Sequence, residues 1–291
     1  MDTQTDTSLV GKRSELNKFI SRKIAIDCPD NYTQAMRSRY LKTALRRYIN
    51  GDFLFVDTDT IVTDSLSDID NFCGDIGVVP EFHCTLDEYP GVEGHFKVAK
   101  KLGWEYDEND KYNYNSGVIF SRDNDISKRF YEHWHSCWLL SLEKLGRHQD
   151  QPAMAMADHL TNHLITPLDG VWNCQIRERG IYFLPKAKIV HYYGTSVGLP
   201  KHAYIYEFQN PDIYLRIKEK GDLPDDVLQL INEAKGIINA QSQLIVGEDV
   251  LLTNTQLYML LKMLYNRHKS VFRALNNMII KLIQIKKYLL K

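Results

Sequence analysis

The order of apolar and polar stretches along the chain predicts alternating strands and helices. Short apolar, aromatic and β-branched runs predict strands at 53–57, 75–79, 181–184 and 187–191, and the pattern at 114–120 predicts a polar turn that opens a further buried strand. Apolar residues at helical spacing predict helices at 32–49, 126–142 and 153–160. The mixed stretch 81–111 has the length of a variable loop or lid. Such alternation up to about residue 195 is typical of an α/β sheet that binds its ligands at strand ends.

From about residue 206 the pattern becomes almost wholly helical. We therefore expect an α/β domain over residues 1–205 and a helical C-terminal extension over residues 206–291. After Asp249 the extension has no acidic residue, and its basic residues lie among Leu, Ile, Met, Phe and Tyr. An apolar helix face bordered by Lys and Arg is typical of peripheral contact with an anionic membrane, or of packing and dimerisation through these helices.

Composition narrows the class of protein. The 291 residues carry a net charge of −1, which argues against a nucleic-acid binder that works by bulk electrostatics. The five cysteines are odd in number and show no C-x-x-C spacing, so we expect reduced thiols in a cytoplasmic setting and neither a disulfide framework nor a zinc site. No uncharged apolar run reaches the roughly 18 residues of a membrane span, so contact with the inner face of a membrane would be peripheral.

The candidate chemistry begins where the first predicted strand ends. The run Phe53–Asp57 leads into Asp57-Thr58-Asp59, which places two carboxylates one residue apart at a strand end. Oxygen ligands of this kind suit Mg²⁺ or Mn²⁺, which commonly bridge to substrate phosphates. The simpler alternative is that one Asp caps the next segment while the other is solvated, but the flanking apolar residues favour the metal site.

Further polar clusters follow later predicted strands or turns. They are Asn115 with Ser116, Asp150 with Gln151, and His191 at the end of an apolar strand. A neutral imidazole is a good third ligand for Mn²⁺ beside two carboxylates. A histidine in such a place is more often structural, but its position at a strand end favours a ligand role.

Together these motifs resemble the retaining sugar-nucleotide glycosyltransferases of family eight, which have the GT-A fold. The motifs match over about residues 24–196 and in the family's order: Arg39 on a basic helix, Asp57-Thr-Asp59, Asn115-Ser-Gly117, Asp150-Gln151, and His191-x-x-Gly194. The resemblance implies a GT-A-like mixed sheet flanked by helices. It also implies transfer of a hexose from a nucleotide-diphosphate sugar to a glycan or lipid-linked acceptor, as in polysaccharide biosynthesis.

The resemblance also implies roles for individual residues. Asp57, Asp59 and His191 would hold Mn²⁺ or Mg²⁺ on the diphosphate of a UDP-sugar. The other residues implied at the donor are Arg39, Asn115, Ser116 and Gly194. Those implied at the transferred sugar, where catalysis occurs, are Asp150 and Gln151, and those implied at the acceptor are Trp172 and Asn173.

The chain departs from the family pattern in two places. The family often continues the histidine motif as H-x-x-G-x-x-K, whereas position 197 is Val. Family members also begin with a strand–helix–strand unit that binds the nucleotide base, and their D-x-D usually lies nearer residue 100. Because D-x-D here begins at Asp57, we expect that part of this nucleotide-binding unit is missing from the chain as given.

Two other functions compete with this interpretation. Phe53–Val62 also fits the first motif of haloacid-dehalogenase-type phosphatases, in which Asp57 would be the nucleophile and Asp59 the acid/base. Gly221-Asp-Leu-Pro-Asp-Asp226 resembles the late motif of that family, but it follows a charged, helical stretch instead of a strand. The third interpretation is a non-catalytic sugar-nucleotide fold that serves as a partner protein.

Overall fold

A computed structural model of the protein describes residues 1–10, 14, 17–89, 91–106, 109–175, 178–192, 211–235, 252–253 and 255–289. The chain divides into two compact units, Met1–Ala240 and Gln241–Lys291. Helices of the first unit are α1 (Thr3–Thr7), α2 (Gln34–Thr43), α3 (Val92–Leu102), α4 (Asp125–Leu145), α5 (Gln151–Leu160), α6 (Pro211–Lys220) and α7 (Asp225–Asn232). Its strands are β1 (Phe53–Val56), β2 (Thr60–Val62), β3 (Ile76–Pro80), β4 (Tyr114–Ser121), β5 (Ile165–Pro167), β6 (Cys174–Gln175) and β7 (Ile189–His191).

The strands form two mixed sheets. In the larger sheet the order is β1-β4-β3-β5, with β4 antiparallel to both β1 and β3, and β5 parallel to β3. The smaller sheet has the order β2-β7-β6, with β2 antiparallel and β6 parallel to β7. The predicted α/β class with a mixed sheet flanked by helices is therefore confirmed.

The largest core cluster lies between the four-stranded sheet and helices α4 and α5. Helix α4 contributes Phe130, Trp134 and Trp138, all fully buried, at the i, i+4 and i+8 spacing that lines one face of a helix. Asn124 begins this helix by accepting the Ser127 N–H, and Gly146 ends it in the left-handed region with φ of 63°. This packing fixes the position of α5, whose N-terminus carries Asp150 and Gln151, two of the candidate site residues.

Some of the predicted elements differ from those observed. The stretch 81–111, predicted as a loop or lid, contains α3, whose Val98 and Leu102 are buried. The strand predicted at 181–184 is wrong, because 3-10 turns cover Glu178–Tyr182 and Leu184–Lys186. Pro185 lacks the amide hydrogen that a strand would need there.

The C-terminal part of the chain is helical, as predicted. Helices α6 and α7 belong to the first unit. Their residues Ile213 and Val227 pack in one buried cluster with Val190 and Tyr192. The second unit contains α8 (Gln256–Arg267) and α9 (Lys269–Leu289), joined by an edge-to-face contact of Tyr265 with Phe272. Over the described residues, none of the helices has both the length and the apolar character needed to span a bilayer.

A buried arginine ties the end of α2 to the four-stranded sheet. One guanidinium nitrogen of Arg46 donates to the Ser121 carbonyl at 2.8 Å and to the Ser121 hydroxyl at 2.7 Å, while the other donates to the Gly51 carbonyl at 2.6 Å. The guanidinium also lies over the Phe53 ring, 4.3 Å from its centroid. Ser121 is fully buried, so losing the donor leaves its carbonyl and hydroxyl without this hydrogen-bond partner.

We predict that Arg46→Met lowers the free energy of unfolding by about 3 kcal/mol, since several buried acceptors lose their donor together. Arg47→Met is the matched control, because Arg47 is exposed, and we expect it to change stability by less than about 0.5 kcal/mol. Urea denaturation followed by circular dichroism measures both. Equal losses in the two variants would contradict the structural role of Arg46.

Candidate metal and donor site

The Asp57-Thr58-Asp59 segment links the two sheets. Asp57 follows β1 and donates its N–H to the Gly117 carbonyl of β4 at 2.8 Å. Asp59 precedes β2, and its carbonyl accepts the Tyr192 N–H at 2.9 Å. Because β2 pairs with β7 in the register that sets Thr60 opposite His191, this histidine is brought beside the two carboxylates. Sheet pairing thus assembles three residues that are far apart in sequence.

Ligand atoms of Asp57, Asp59 and His191 all lie within 4.8 Å of one another. His191 is 2% exposed, and its Nε2 lies 3.3 Å from Asp59 Oδ1. Burial by itself would raise the pKa of Asp59, but the hydrogen bond and charge of His191 outweigh it and hold that pKa below its usual value. Burial raises the pKa of Asp57 despite the nearby Lys42.

A chain of hydrogen bonds determines which nitrogen of His191 faces the carboxylates. The Gly117 N–H donates to Asn115 Oδ1 at 3.0 Å, so the amide nitrogen of Asn173 must donate to that same oxygen, at 2.8 Å. Asn173 Oδ1 therefore faces His191 and accepts its Nδ1–H at 2.9 Å. In the neutral ring this leaves Nε2 as an acceptor directed toward Asp59.

Two acceptor atoms that face each other at 3.3 Å require a positive charge between them. A proton on Nε2 meets that requirement, and so does a divalent cation bound by both atoms. Two carboxylates and one imidazole form a donor set that suits Mn²⁺ or a similar ion. The residues of this site therefore fit the metal that the sequence resemblance implies.

Gly117 is needed for this arrangement. A Cβ atom built at this position would lie 2.2 Å from Cε1 of His191, which is closer than real contacts allow. The N-S-G motif thus combines a side chain that orients Asn173 with a glycine that makes room for the imidazole.

Lys42 lies at the centre of the acidic side of the site. It is 2% exposed, and its Nζ donates to Asp57 Oδ2 at 2.8 Å and to the Ser116 carbonyl at 3.2 Å. Its distance to Asp150 Oδ2 is 3.8 Å, and Ser116 Oγ donates to that same oxygen at 2.8 Å. Lys42 therefore lies between the buried carboxylate of Asp150 and the partly buried carboxylate of Asp57, which come from different segments of the chain.

A second buried carboxylate organises the other side of the site. Glu81 is 4% exposed and follows β3. Its Oε2 accepts from the side-chain amide of Asn115 at 2.7 Å and from that of Gln151 at 2.5 Å. These bonds fix the orientation of both amides and place the N-terminus of α5 against β4.

The sequence did not single out Lys42 or Glu81. Lys42 is the one basic residue in the stretch Tyr40–Leu45. Its mainly apolar neighbours are the sequence feature that could have indicated a buried lysine. Glu81 comes shortly after a predicted strand, much as Asp57 does at the end of another. This position at a strand end is the feature that could have marked it as a site residue.

The remaining predicted site residues occupy different environments. Arg39 Nε lies 3.7 Å from Asp150 Oδ1 on a side chain that is 35% exposed. Trp172 packs with Ile69 and Leu168 in a small core cluster, and Asn173 is fully buried behind His191. An acceptor role for these two residues stays a prediction, and Gly194 lies outside the described residues. Asn115 and Ser116, predicted as a turn that opens a strand, lie within β4 itself.

A cavity of about 760 Å³ opens beside Asp57 and Thr58. Helix α2 lines it with Gln34, Arg37 and Lys42 among others, and residues of α1 and β1 complete the wall. Its volume lies in the range of small-molecule sites, about 300–1,000 Å³. The cavity therefore combines room for a ligand with Arg37 and with one of the candidate metal ligands, Asp57.

No protein-family model matches this chain, and no curated protein matches its sequence. Several solved glycosyltransferase structures resemble it distantly. Mouse xyloside xylosyltransferase 1 is 18% identical with a TM-score of 0.36, over 56% of this chain and 65% of its own. The galactosyltransferase LgtC, solved with donor and acceptor sugar analogs, is 15% identical with a TM-score of 0.43, over 72% of this chain and 78% of its own.

The glycosyltransferase GlyE of Streptococcus pneumoniae is 15% identical with a TM-score of 0.37, over 76% of this chain and 52% of its own. The chain thus spans just under two thirds of the mouse enzyme and about half of GlyE. Likenesses this distant do not assign a function, which has to be inferred from the site.

We predict that Lys42→Met lowers the free energy of unfolding, measured in EDTA, by about 3 kcal/mol, because it leaves buried carboxylates without a counter-charge. Adding Asp57→Asn should recover part of that loss, since the second change removes one of the unpaired charges. Lys100→Met, at an exposed position of α3, is the control and should have little effect. Strictly additive losses in the double variant would show that the pair does not interact.

Proposed function

We propose that the protein is a glycosyltransferase that moves a sugar from a nucleotide-diphosphate donor to a glycan or lipid-linked acceptor. The observation that carries the proposal is the grouping of Asp57, Asp59 and His191, in which Asp57 also lines a cavity that contains Arg37. A divalent cation and basic side chains both stabilise a bound diphosphate, and this site places candidate ligands for the cation beside Arg37. We further propose a hexose donor, retention of configuration and a UDP nucleotide, as in the family that the sequence resembles.

In this proposal the nucleoside occupies the cavity against α2, with its diphosphate at the Asp57–Asp59 turn. Arg37 lines the cavity and can approach the phosphates there. Arg39 lies on a different face of the helix, with its Nε 3.7 Å from Asp150 Oδ1, and is proposed to contact the donor at that side of the site. Lys42 stays buried between Asp57 and Asp150 and sets the orientation of both carboxylates. His191, oriented by Asn173, completes the ligand set.

When bound by Asp57, Asp59 and His191, Mn²⁺ or Mg²⁺ would act as a Lewis acid that stabilises the charge on the leaving nucleotide diphosphate. The protein's own residues would hold the sugar. Asp150 and Gln151 at the start of α5 are proposed to contact the transferred sugar, beside Asn115 and Ser116 of β4. Their hydrogen bonds to one another and to Glu81 keep them oriented before the donor arrives.

The phosphatase alternative is not favoured. Its late motif, Gly221–Asp226, covers the turn after α6 and the first two residues of α7 and does not lie at a strand end. Asp226 forms a surface ion pair with Arg216 at 2.7 Å. That alternative also gives no role to Asn115 or His191.

Turnover separates the enzyme from a non-catalytic partner protein. Release of UDP from a UDP-sugar with Mn²⁺, abolished by EDTA, is expected of the enzyme. Phosphate release from a monoester would instead support the phosphatase.

We predict that Asp59→Asn abolishes Mn²⁺-dependent binding of UDP, because a neutral amide oxygen is a much poorer ligand than a carboxylate. Asp70→Asn is the control, as it removes one exposed negative charge a short distance along the chain. Isothermal titration calorimetry with and without Mn²⁺ measures both variants. Unchanged metal-dependent affinity in Asp59→Asn would remove this residue from the proposed site.

We also propose that α9 lies on an anionic membrane surface and brings the enzyme to a lipid-linked or surface acceptor. Apolar residues of α9 are exposed, including Val271, Met278, Ile279, Leu282 and Ile283. Basic residues accompany them, and no acid follows Asp249. Insertion of the apolar face and about 1 kcal/mol per basic residue near an anionic surface would act together.

The test compares two double variants of the full chain that add the same negative charge. Met278→Glu with Leu282→Glu alters the apolar face, whereas Asn277→Glu with Gln284→Glu alters the polar face of the same helix. We expect the unaltered chain to co-sediment with anionic but not neutral liposomes, and the first variant to lose more binding than the second. Recovery of all three proteins in the supernatant at low salt, with a dimer in solution, would assign the helix to self-association.

A further inference from the structure

A second group of metal-ligating side chains lies away from the donor site. Asp110, just before β4, meets His159 and His163 at the end of α5, and ligand atoms of the three lie within 4.8 Å of one another. His159 Nδ1 is 3.1 Å from Asp110 Oδ2, and His163 Nδ1 is 3.7 Å from Asp110 Oδ1. We call these residues the Asp110 triad.

The distances in the Asp110 triad match those between ligands of one small cation. Zinc binds imidazole nitrogen and carboxylate oxygen at about 2.0–2.2 Å, so neighbouring ligands of a tetrahedral site lie about 3.4 Å apart. The distances from Asp110 oxygens to His159 Nδ1, 3.1 Å, and to His163 Nδ1, 3.7 Å, fall on either side of this value.

The surroundings hold the triad in place. Asp158 Oδ2 lies 3.9 Å from His163 Nδ1, and its other oxygen accepts the Ile165 N–H at 2.7 Å. The Tyr106 ring packs edge-to-face on His159, with centroids 6.1 Å apart. Asp110 itself has a side chain only 7% exposed. A buried carboxylate beside two imidazoles, with a further carboxylate next to them, favours a bound cation.

We propose that the Asp110 triad binds Zn²⁺ as a structural site, separate from the donor metal. Two imidazoles and one carboxylate favour zinc over Mg²⁺ or Ca²⁺, which prefer all-oxygen ligands. The chain's cysteines indicate no zinc site, but this one needs no cysteine. A bound ion would connect the end of α5 to the segment before β4, and α5 carries Asp150 and Gln151 near its other end.

The test uses tag-free, EDTA-treated full-length protein carrying Asp59→Asn, which disables the proposed donor metal site. We expect this protein to bind one Zn²⁺ by calorimetry and to gain thermal stability from it. Adding His163→Gln or Asp110→Asn should weaken Zn²⁺ binding at least about ten-fold, since even outer-shell partners of metal ligands are worth that much. His133→Gln, at an exposed position of α4, is the control and should bind as the parent does.

Zinc affinity that is unchanged by both His163→Gln and Asp110→Asn, or absent from the parent, would overturn the proposal. Circular dichroism establishes that each variant is folded, and if one is not, the other decides. The donor metal is tested by UDP binding, so the two proposals fail independently.

Discussion

The site depends on how the protein compensates buried negative charge. Asp57 and Asp150 belong to different segments, yet both carboxylates lie within 4 Å of the Lys42 ammonium, with Asp150 buried and Asp57 partly buried. An uncompensated pair of this kind would be expelled or protonated. The buried ammonium of Lys42 prevents this, and it does so from α2, so the helix, the end of β1 and the start of α5 are held in one arrangement. The cavity beside Asp57 follows from that arrangement.

A second constraint is the placement of His191. The antiparallel pairing of β2 with β7 brings it to Asp59, while Gly117 leaves room for its ring and Asn173 selects its tautomer. Each of these contributions comes from a different element. Backbone hydrogen bonds therefore set a side-chain orientation that a metal ligand requires.

The sequence predicts those parts of the site that lie next to strong local patterns. Asp57 and Asp59 follow an apolar run, and His191 ends another, so both places are visible without a structure. Lys42 and Glu81 were missed because their importance comes from contacts with Asp57, Ser116, Asn115 and Gln151, which are distant in sequence. The resemblance implies that Asn173 contacts the sugar acceptor, and this stays a prediction. Its hydrogen bonds in the structure are to His191 and Asn115.

The same reasoning explains the errors in the fold. The buried residues of α3, His95, Val98, Ala99 and Leu102, have helical spacing. The helix was missed because one of the four is polar and the residues between and around them include Lys, Glu and Gly. The false strand at 181–184 is an apolar run whose course is decided by Pro185 and by packing. Long helices such as α4, with a continuous apolar face, were predicted to within a few residues of their ends.

A crystal of the protein grown with Mn²⁺ and UDP, measured at the manganese absorption edge, tests the central claim most directly. We expect an anomalous difference peak within coordination distance of Asp57, Asp59 and His191, with UDP phosphate oxygens on the same ion and the nucleoside in the cavity beside α2. Bound UDP with no anomalous peak at these three residues, or a peak there with the nucleotide elsewhere, would contradict the account.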